Sequence, residues 1–424
     1  MKTLLCISPH FPPVNAPDMH RLRQSLPYFK EFGWKPVVFS VSPEFVEQKR
    51  EPLLLQSLPS EIEIHQVKAF SVKITRKLGL GNLGFRSLLQ YRKEIDKYLA
   101  VNKVDLIYFT TTVFTLMVLG RYWKQKFAVP FIVDLQDPWR NDYYLSLYKK
   151  DRPKKFWFDY CQKKYLESIT MPEVAGIVSV SSAYVETMKV RYPRLRAMDC
   201  LTLPFGALEA DWTIARKLDP VFLGENTVNV VYVGRAGNDM KFSLSALFCA
   251  FKKGLDSNLP QFKQVRFLFF GTSYALDGQG AKTVEPIANQ CGVGKFVTEV
   301  TDRLPYFQSL KVLECADILF MPGSIDEKYT ASKVFPYLLA RKPLFAIFNE
   351  MSSVVDILRS TKGGAVISFS NKDSLDEVGD RVLCEFKKMM IKIPFTPELD
   401  AAAFKPYTAR EMTRKLCSYF DEIG

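Results

Sequence analysis

The chain has 424 residues, which is too long for one ordinary hydrophobic core and predicts two domains of about 200 residues each. Apolar residues make up 47% and charged residues 24%, a globular balance that excludes a disordered chain. The net charge is +13 and lies mainly in the first half, where 31 Lys and Arg face 20 Asp and Glu up to Ala210, so that half is predicted to meet an anionic partner.

Short apolar runs and helical patterns alternate along the first half of the chain. Residues 22–32 have apolar side chains at helical spacing and are predicted to form one amphipathic helix. Strand–helix alternation is typical of a parallel, doubly wound α/β sheet. The predicted strands are residues 3–8, 36–41, 62–67, 105–110, 131–134 and 176–180.

The second half repeats the alternation, so a second doubly wound domain is predicted. Its predicted strands are residues 228–233, 265–270, 295–300, 318–321, 344–348 and 365–368. The seam is expected after Gly206, giving domains 1–206 and 207–404, with a final helix at about 405–424 that packs back on the first domain. Two such domains in tandem predict a cleft for two substrates, which suits group transfer.

Two segments of the second half have the composition of a phosphate site. Residues 228–241 read VNVVYVGRAGNDMK, and Arg235 and Lys241 flank a glycine-rich turn after a strand, so the two cations can grip a diphosphate. Residues 322–343 read PGSIDEKYTASKVFPYLLARKP and predict a turn and a helix, with Thr330 or Ser332 as N-cap and Lys333 adding a charge. Ordinary strand ends and capped helices share these patterns.

These motifs, in this order, resemble the GT-B glycosyltransferases of family 4. The similarity also covers the opening FPPVNAPDMHRLR, the segment VDLQDPWRNDY at 133–143 and the segment AGIVSVSSAYVETM, so it spans nearly the whole chain. It implies two Rossmann-like domains, an acceptor-binding one first and a nucleotide-sugar-binding one second. The activity it implies is retaining transfer of a sugar, in cell-surface polysaccharide biosynthesis, with no metal and no cofactor beyond the donor.

The resemblance also implies roles for individual residues. Asp137, Arg235 and Lys241 are the catalytic residues, and the acceptor is bound by Asn15, Asp18, Arg21 and Arg140. Donor-binding residues are Gly234, Gly237, Gly271, Thr272, Gly323, Ser324, Asp326, Tyr329, Thr330, Ser332 and Lys333.

Asp137 has a chemical role and a structural alternative. Glycosyl transfer builds negative charge on the departing diphosphate, and an acidic group such as Asp137 can orient or deprotonate the acceptor or stabilise the sugar cation. However, Asp-Pro also opens helices, so Asp137 is alternatively an N-cap.

The sequence departs from the family pattern at two places. Counting back from Pro343, Pro336 stands where the family has the second of two donor-loop glutamates, and Lys328 stands where it has the first. Asn15-Ala16 replaces the usual Gly-Gly of the first loop. These changes motivate one alternative, a non-catalytic GT-B scaffold or regulator of glycan assembly; a sugar-nucleotide epimerase is another.

Composition also bears on partners and compartment. The eight cysteines form no CxxC pair and the three histidines lack metal-ligand spacing, which favours a cytoplasmic protein with reduced thiols and no zinc site. No secretory signal or membrane span is predicted. Basic residues near aromatic and apolar ones at 73–97 and 149–158 suit either an anionic membrane surface or a solvated face, whereas no nucleic-acid-binding signature is present.

Overall fold

The computed structural model describes residues 1–146, 148–149, 152, 156–198, 200–326 and 332–424. The chain divides into two units. Unit 1 comprises Met1–Gly206 and Ala409–Gly424, and unit 2 comprises Ala207–Thr408. Each unit is built on one parallel sheet.

The sheet of unit 1 has seven strands in the order β3-β2-β1-β4-β5-β6-β7. β1 lies between β2 and β4, with Leu4 paired to Leu106 in register. The strands are β1 (Lys2–Ile7), β2 (Trp34–Val41), β3 (Glu63–Val67), β4 (Leu106–Thr110), β5 (Phe131–Leu135), β6 (Gly176–Ser179) and β7 (Cys200–Thr202).

The sheet of unit 2 has six strands in the order β10-β9-β8-β11-β12-β13. Its strands are β8 (Val228–Val233), β9 (Val265–Phe270), β10 (Val297–Val300), β11 (Ile318–Pro322), β12 (Leu344–Asn349) and β13 (Ala365–Phe369). In each unit, chain order runs outward in two directions from a central strand pair, which is the doubly wound arrangement that the sequence predicted.

Helices connect the strands of both units. Those of unit 1 before the seam are α1 (His20–Ser25), α2 (Val72–Thr75), α3 (Leu83–Val101), α4 (Val118–Phe127), α5 (Tyr143–Ser146), α6 (Phe156–Thr170) and α7 (Ser182–Arg191). Those of unit 2 are α8 (Glu209–Ala215), α9 (Lys241–Asp256), α10 (Val284–Gln290), α11 (Tyr306–Cys315), α12 (Val334–Leu339), α13 (Ser353–Thr361), α14 (Leu375–Lys392) and α15 (Ala401–Phe404). The last helix, α16 (Ala409–Ile423), belongs to unit 1.

Both faces of the unit 1 sheet are covered by apolar side chains. Along β1, Leu5 and Ile7 join one core cluster with residues of α3 and α4, while Leu4 and Cys6 join another with residues of α1 and α16. Burial on both faces explains why the strands read as continuous apolar runs.

One predicted helix is wrong. Residues 22–32 form the end of α1, which stops at Ser25, and a separate 3-10 turn, Phe29–Phe32. Pro27 lies between them, and its missing N–H removes a helical hydrogen bond. Gly33 then ends the turn with a φ of 83°, which glycine adopts without strain.

The twelve predicted strands are present, with ends that differ by up to two residues. β7 was missed because it has three residues and is only partly buried, so it lacks an apolar run. Within the described residues, no helix is long and apolar enough to cross a membrane.

Candidate functional site

The strand order of unit 2 reverses between β8 and β11, which are hydrogen-bonded neighbours. Loops that leave neighbouring strands in opposite directions open a crevice at their carboxyl ends, where ligands of doubly wound sheets bind. Gly234 follows β8 and Gly323 follows β11, so the two motif segments meet at this reversal point.

Gly234 allows a lysine to approach the end of β8 closely. Its φ is 152°, and a Cβ at this position would overlap the Nζ of Lys333. The same Nζ lies 5.8 Å from the centre of the Tyr232 ring. Because Gly234 has no side chain, the Lys333 ammonium has room to lie against the end of β8.

Three cations surround this strand end. Burial lowers the pKa of Lys333 to about 8, and the charges of Arg303 and Arg235 add to the effect. Arg303 follows β10 and lies over the ring of Tyr274, 4.4 Å from its centre. Mutual repulsion of like charges at one crevice is relieved by an anion, so this edge is a candidate anion site.

Asp239 ties the two loops together. Its carboxylate accepts two hydrogen bonds from Arg235, at 3.0 and 2.8 Å, and its backbone oxygen accepts one from the Ile325 N–H at 3.0 Å. Burial acts to raise the pKa of Asp239, but the bonds from Arg235 and Ser324 outweigh it and lower the pKa. Arg235 thus shares its charge with a neighbouring carboxylate.

The start of α12 differs from the prediction. The helix begins at Val334 with Lys333 at the cap position and no side-chain cap, so Ser332 is not the N-cap and lies in the preceding turn. Thr330 and Tyr329 lie outside the described residues, as do Glu327 and Lys328. Pro336 is the third residue of α12, in the first turn, where its missing N–H costs little.

Tyr337 holds α12 against β8. Its hydroxyl accepts a hydrogen bond from the Val233 N–H at 2.7 Å and donates one to the Val233 oxygen at 3.1 Å.

The other predicted site residues of unit 2, the catalytic candidate Lys241 among them, take different places. Gly237 packs against Arg235 and Asp239, Gly323 against Ile347 and Phe348, and Lys241 is exposed as the first residue of α9. Thr272 is buried and donates to Glu299 at 2.7 Å, next to Gly271 with a φ of 68°. Ser324 is buried and accepts from the Asp326 N–H, while Asp326 itself is exposed.

The unit 1 sheet has its own reversal point, between β1 and β4. Asp18 lies there, buried, 2.9 Å from Nδ1 of His10. Its other oxygen accepts hydrogen bonds from the Thr111 hydroxyl, at 2.8 Å, and the Thr112 N–H, at 3.0 Å. Asp18 therefore links His10, which follows β1, to the loop that follows β4.

Arg21 cannot contact an acceptor, which corrects the prediction. Its side chain has no exposed surface, and its Nε donates to Asp134 at 2.6 Å, while Nη2 donates to the Leu203 oxygen at 2.7 Å. A fully buried guanidinium paired in this way holds the sheet to the segment that follows β7.

Asn15 and Arg140 are both engaged in the fold. Asn15 donates to Glu51 at 2.7 Å. Arg140 lies 3.1 Å from Asp142, which also pairs with Arg191 at 2.6 Å. The structure does not bring Arg140 together with Asp18.

Asp137 follows β5 at the carboxyl edge of the sheet. No helix begins there, so Asp137 is not an N-cap. Its surface is exposed, yet the desolvation by surrounding protein and the charge of Asp18 both raise the pKa of its carboxyl. Within the part of the chain that the structure describes, Asp137 has no hydrogen bond or ion pair.

No family model matches the chain, and no curated protein matches it. Solved structures do. HepE from Anabaena, in complex with UDP and glucose, is 13% identical with a TM-score of 0.60, and the match covers 100% of both chains. Sucrose-phosphate synthase from Thermosynechococcus elongatus is 12% identical with a TM-score of 0.58, covering 100% of this chain and 99% of the other.

A glycosyltransferase from Rickettsia africae is 15% identical with a TM-score of 0.57, covering 100% of this chain and 98% of the other. This chain has the GT-B fold. The fold prediction made from the sequence is thereby confirmed.

Three side chains near the two reversal points were not identified from the sequence: Arg303, Asp239 and His10. Arg303 follows a strand, as Arg235 does, but no glycine-rich turn marks it. Asp239 lies four residues after Arg235, a spacing that could have suggested their ion pair. His10 was considered only as a metal ligand, although it follows the first strand directly; among the described residues no group of His, Cys, Asp and Glu is arranged to hold a metal.

The basic surface is described only in part. Arg152 lies over the rings of Phe156 and Trp157, and Trp157 and Phe158 are exposed. Lys150, Lys154 and Lys155 lie outside the described residues.

Proposed function

We propose that the protein is a glycosyltransferase that moves a sugar from a nucleotide-diphosphate sugar to a glycan or lipid-linked acceptor. The observation that carries the proposal is the set of three cations, Lys333, Arg235 and Arg303, around the glycine at the end of β8. The complex of HepE with UDP and glucose, which has the same fold, supports it.

The cations suit the departing group of such a transfer. Negative charge grows on the diphosphate as the sugar carbon–oxygen bond breaks, and preorganised cations stabilise that charge without a metal. Asp137 would act on the sugar or the acceptor, since its raised pKa suits proton exchange. The resemblance to family 4 supports retention of the sugar's configuration and a role in cell-surface polysaccharide biosynthesis.

A peripheral position at the inner face of the cell membrane completes the proposal. Exposed Trp157 and Phe158 beside Arg152 combine apolar and basic surface, which favours anionic lipid. Binding to vesicles of phosphatidylglycerol, lost in a Trp157→Ala, Phe158→Ala variant, would support this position.

The proposed function is tested by titrating the protein with UDP, GDP, ADP and CDP, and then with the corresponding sugar nucleotides. We expect one diphosphate to bind and its sugar nucleotide to be hydrolysed or used for transfer. Arg303→Ala should weaken that binding at least tenfold, because a charge-assisted contact is lost. Arg266→Ala is the matched control. Arg266 lies near the amino end of β9, away from the carboxyl edge of the sheet, so this variant should bind the diphosphate normally.

A scaffold is the second candidate, favoured by Pro336 in place of the family's glutamate and by the pairing of Arg235 with Asp239. A scaffold would keep its cellular glycan phenotype in Asp137→Ala and Arg235→Ala variants, whereas an enzyme would lose it. Failure of every nucleotide to bind would overturn the proposed enzyme.

A further inference from the structure

Two cysteines of unit 2 lie side by side on neighbouring helices. The Sγ atoms of Cys249, in α9, and Cys291, directly after α10, are 3.3 Å apart. The two residues are 42 positions apart in the sequence, so the fold, and not the local chain, brings the thiols together. Both residues are only partly buried, which places the pair at the surface of unit 2.

The course of the two helices explains why the thiols meet. β8, β9 and β10 are parallel neighbours, so α9 and α10 both return the chain from the carboxyl edge of the sheet to the start of the next strand. A helix rises about 1.5 Å per residue, so Cys249 lies about 12 Å and Cys291 about 10 Å along the helix from its start. The two cysteines therefore lie at a similar depth on two helices that run the same way.

Contacts on both sides of the pair hold α9 and α10 in place. Phe251, two residues after Cys249, packs edge to face on Phe296 with ring centres 5.1 Å apart, and both rings are buried. Near the helix starts, the Thr283 hydroxyl donates to the Ala236 oxygen, in the loop before α9, at 2.7 Å. The thiols therefore lie between two contacts that join the same two segments.

The backbone around Cys291 is fixed by the way α10 ends. Gly292 has a φ of 72°, and its N–H donates to the Asn289 oxygen at 3.0 Å. The Val293 N–H donates to the Ala288 oxygen at 2.9 Å. These two bonds and the left-handed glycine form the Schellman motif, a common helix end. Cys291 is the residue at the cap, so its position follows from the helix end.

Two adjacent thiols can bind a metal or form a disulfide. Within the described part of the chain, no group of His, Cys, Asp and Glu is arranged to hold a metal, so the pair has no further ligands for one. A disulfide bond is about 2.05 Å long, so the two sulfurs need to approach by only about 1.3 Å. The arrangement thus favours the disulfide.

We propose that Cys249 and Cys291 form a reversible disulfide when the protein meets a thiol oxidant, and that this modification links α9 to α10 without moving the helices. The inference goes beyond the proposed function and does not rest on it. In a compartment where thiols are kept reduced, a disulfide of this kind is transient and responds to oxidants. The oxidant is a small disulfide, of which glutathione disulfide is the probe used below.

The oxidation consists of two thiol–disulfide exchanges. Cys249 loses its proton and attacks one sulfur of glutathione disulfide, which forms a mixed disulfide and releases one glutathione. Cys291 then loses its proton and attacks the Cys249 sulfur, which closes the protein disulfide and releases the second glutathione. Two electrons and two protons pass from the protein thiols to the two glutathione molecules. Burial and the neighbouring Cys249 sulfur raise the pKa of the Cys291 thiol, so Cys291 keeps its proton longer and attacks second.

Peptide mapping tests the pairing in the full chain. The reduced protein is equilibrated with a mixture of reduced glutathione, in excess, and glutathione disulfide; free thiols are then alkylated and the peptides identified by mass spectrometry. Cys384, an exposed cysteine of unit 2, is the internal reference. We expect the fraction linked through Cys249 and Cys291 to exceed the glutathionylated fraction of Cys384 at least fivefold, because the second thiol attacks within the same molecule. A linked fraction no larger than that of Cys384 would overturn the proposal.

Three variants separate the two exchanges. Cys291→Ser lacks the second thiol, so the reaction should stop at a mixed disulfide, with one glutathionyl group on Cys249. Cys249→Ser lacks the first thiol, so Cys291 should remain reduced. Cys384→Ser is the matched control and should form the linked pair as the wild type does. Linkage of Cys249 to another cysteine in Cys291→Ser would refute the specific pairing.

Thermal unfolding tests whether the helices are already in place for the bond. We expect the oxidised protein to have a Tm about 4–10 °C above that of the reduced protein, because the bond closes a long loop of the unfolded chain. Oxidant should give no such rise in Cys291→Ser. A linked protein that melts at or below the Tm of the reduced one would show that the helices must move, which contradicts the proposal. No nucleotide enters these measurements, so their outcome and that of the nucleotide titration are independent.

Discussion

Two effects lower the pKa of Lys333: burial of its side chain and the positive charges of two nearby arginines. Its ammonium is half-buried at a glycine-bounded strand end, and it faces two arginines that oppose its charge. Burial and repulsion both favour the neutral amine, whereas a bound diphosphate favours the ammonium. Binding of an anion and protonation of Lys333 are therefore linked.

The linkage predicts how diphosphate affinity depends on pH. The lowered pKa of Lys333, about 8, means that the free protein holds the ammonium below this pH and loses it above. We therefore expect the Kd for the bound nucleoside diphosphate to rise between about pH 7.5 and 9, measured by calorimetry. Lys333→Met should weaken binding at pH 7 at least tenfold and flatten the pH dependence.

Lys372→Met is the control, because Lys372 is an exposed lysine of the same unit. A steep pH dependence that persists in Lys333→Met would contradict this account.

Arg235 and Lys333 could be named as candidate cations from the sequence motifs, but their partners in the fold were not predictable. The ion pair of Arg235 depends on the position of Asp239. The distance of Arg303 from Lys333 depends on the place of β10 in the sheet. For Arg21, the motif predicted contact with the acceptor. The side chain is instead buried against Asp134, which is 113 positions away in the sequence.

At the scale of elements, helix packing determines whether a glycine in a helix can be replaced by a larger residue. Gly254 in α9 and Gly379 in α14 are both helical glycines, on helices that pack against each other. A Cβ at Gly254 would overlap the ring of Phe262, whereas the nearest atom to a Cβ at Gly379 is the Ala246 oxygen at 3.9 Å.

The two glycines are predicted to respond to alanine with opposite signs. Gly379→Ala should raise the free energy of unfolding by about 0.5–1 kcal/mol, because alanine loses less backbone entropy in a helix. Gly254→Ala should lower it by about 1–3 kcal/mol, since the Phe262 ring must move. Urea unfolding of the two variants measures both, and equal signs would refute the packing argument.

The spacing of apolar residues predicted some elements correctly and others not. The strands of both sheets were predicted because burial on two faces leaves long apolar runs. The helix expected at 22–32 failed at Pro27, and the start of α12 moved to Val334, because local breakers and caps are decided by hydrogen bonds that apolar spacing does not encode.

At the scale of the molecule, α16 returns the chain to unit 1 after the whole of unit 2. Phe420 is fully buried, with ring centres 5.6 Å from Trp34 and 5.1 Å from Tyr108. The Tyr419 hydroxyl accepts a hydrogen bond from the Ile177 N–H at 3.0 Å. One core of unit 1 is thus incomplete without the last helix.

Phe420→Ala is predicted to destabilise unit 1 by about 3–5 kcal/mol, since it leaves a cavity among aromatic rings. Hydrogen exchange should accelerate in β1 and β2 but not in β8 and β9. Tyr165→Ala, which removes an exposed ring of unit 1, should leave exchange unchanged. Equal acceleration in both sheets would show that the two units unfold as one.

The position of α16 in the chain also has a consequence for biosynthesis. A ribosome releases Met1–Gly206 of unit 1 before it releases unit 2, but it releases α16, the helix that closes the core of unit 1, only after unit 2. All the strands of unit 2 are therefore synthesised before the helix whose Phe420 packs on Trp34 and Tyr108. The length of this interval grows with the time needed to translate the second half.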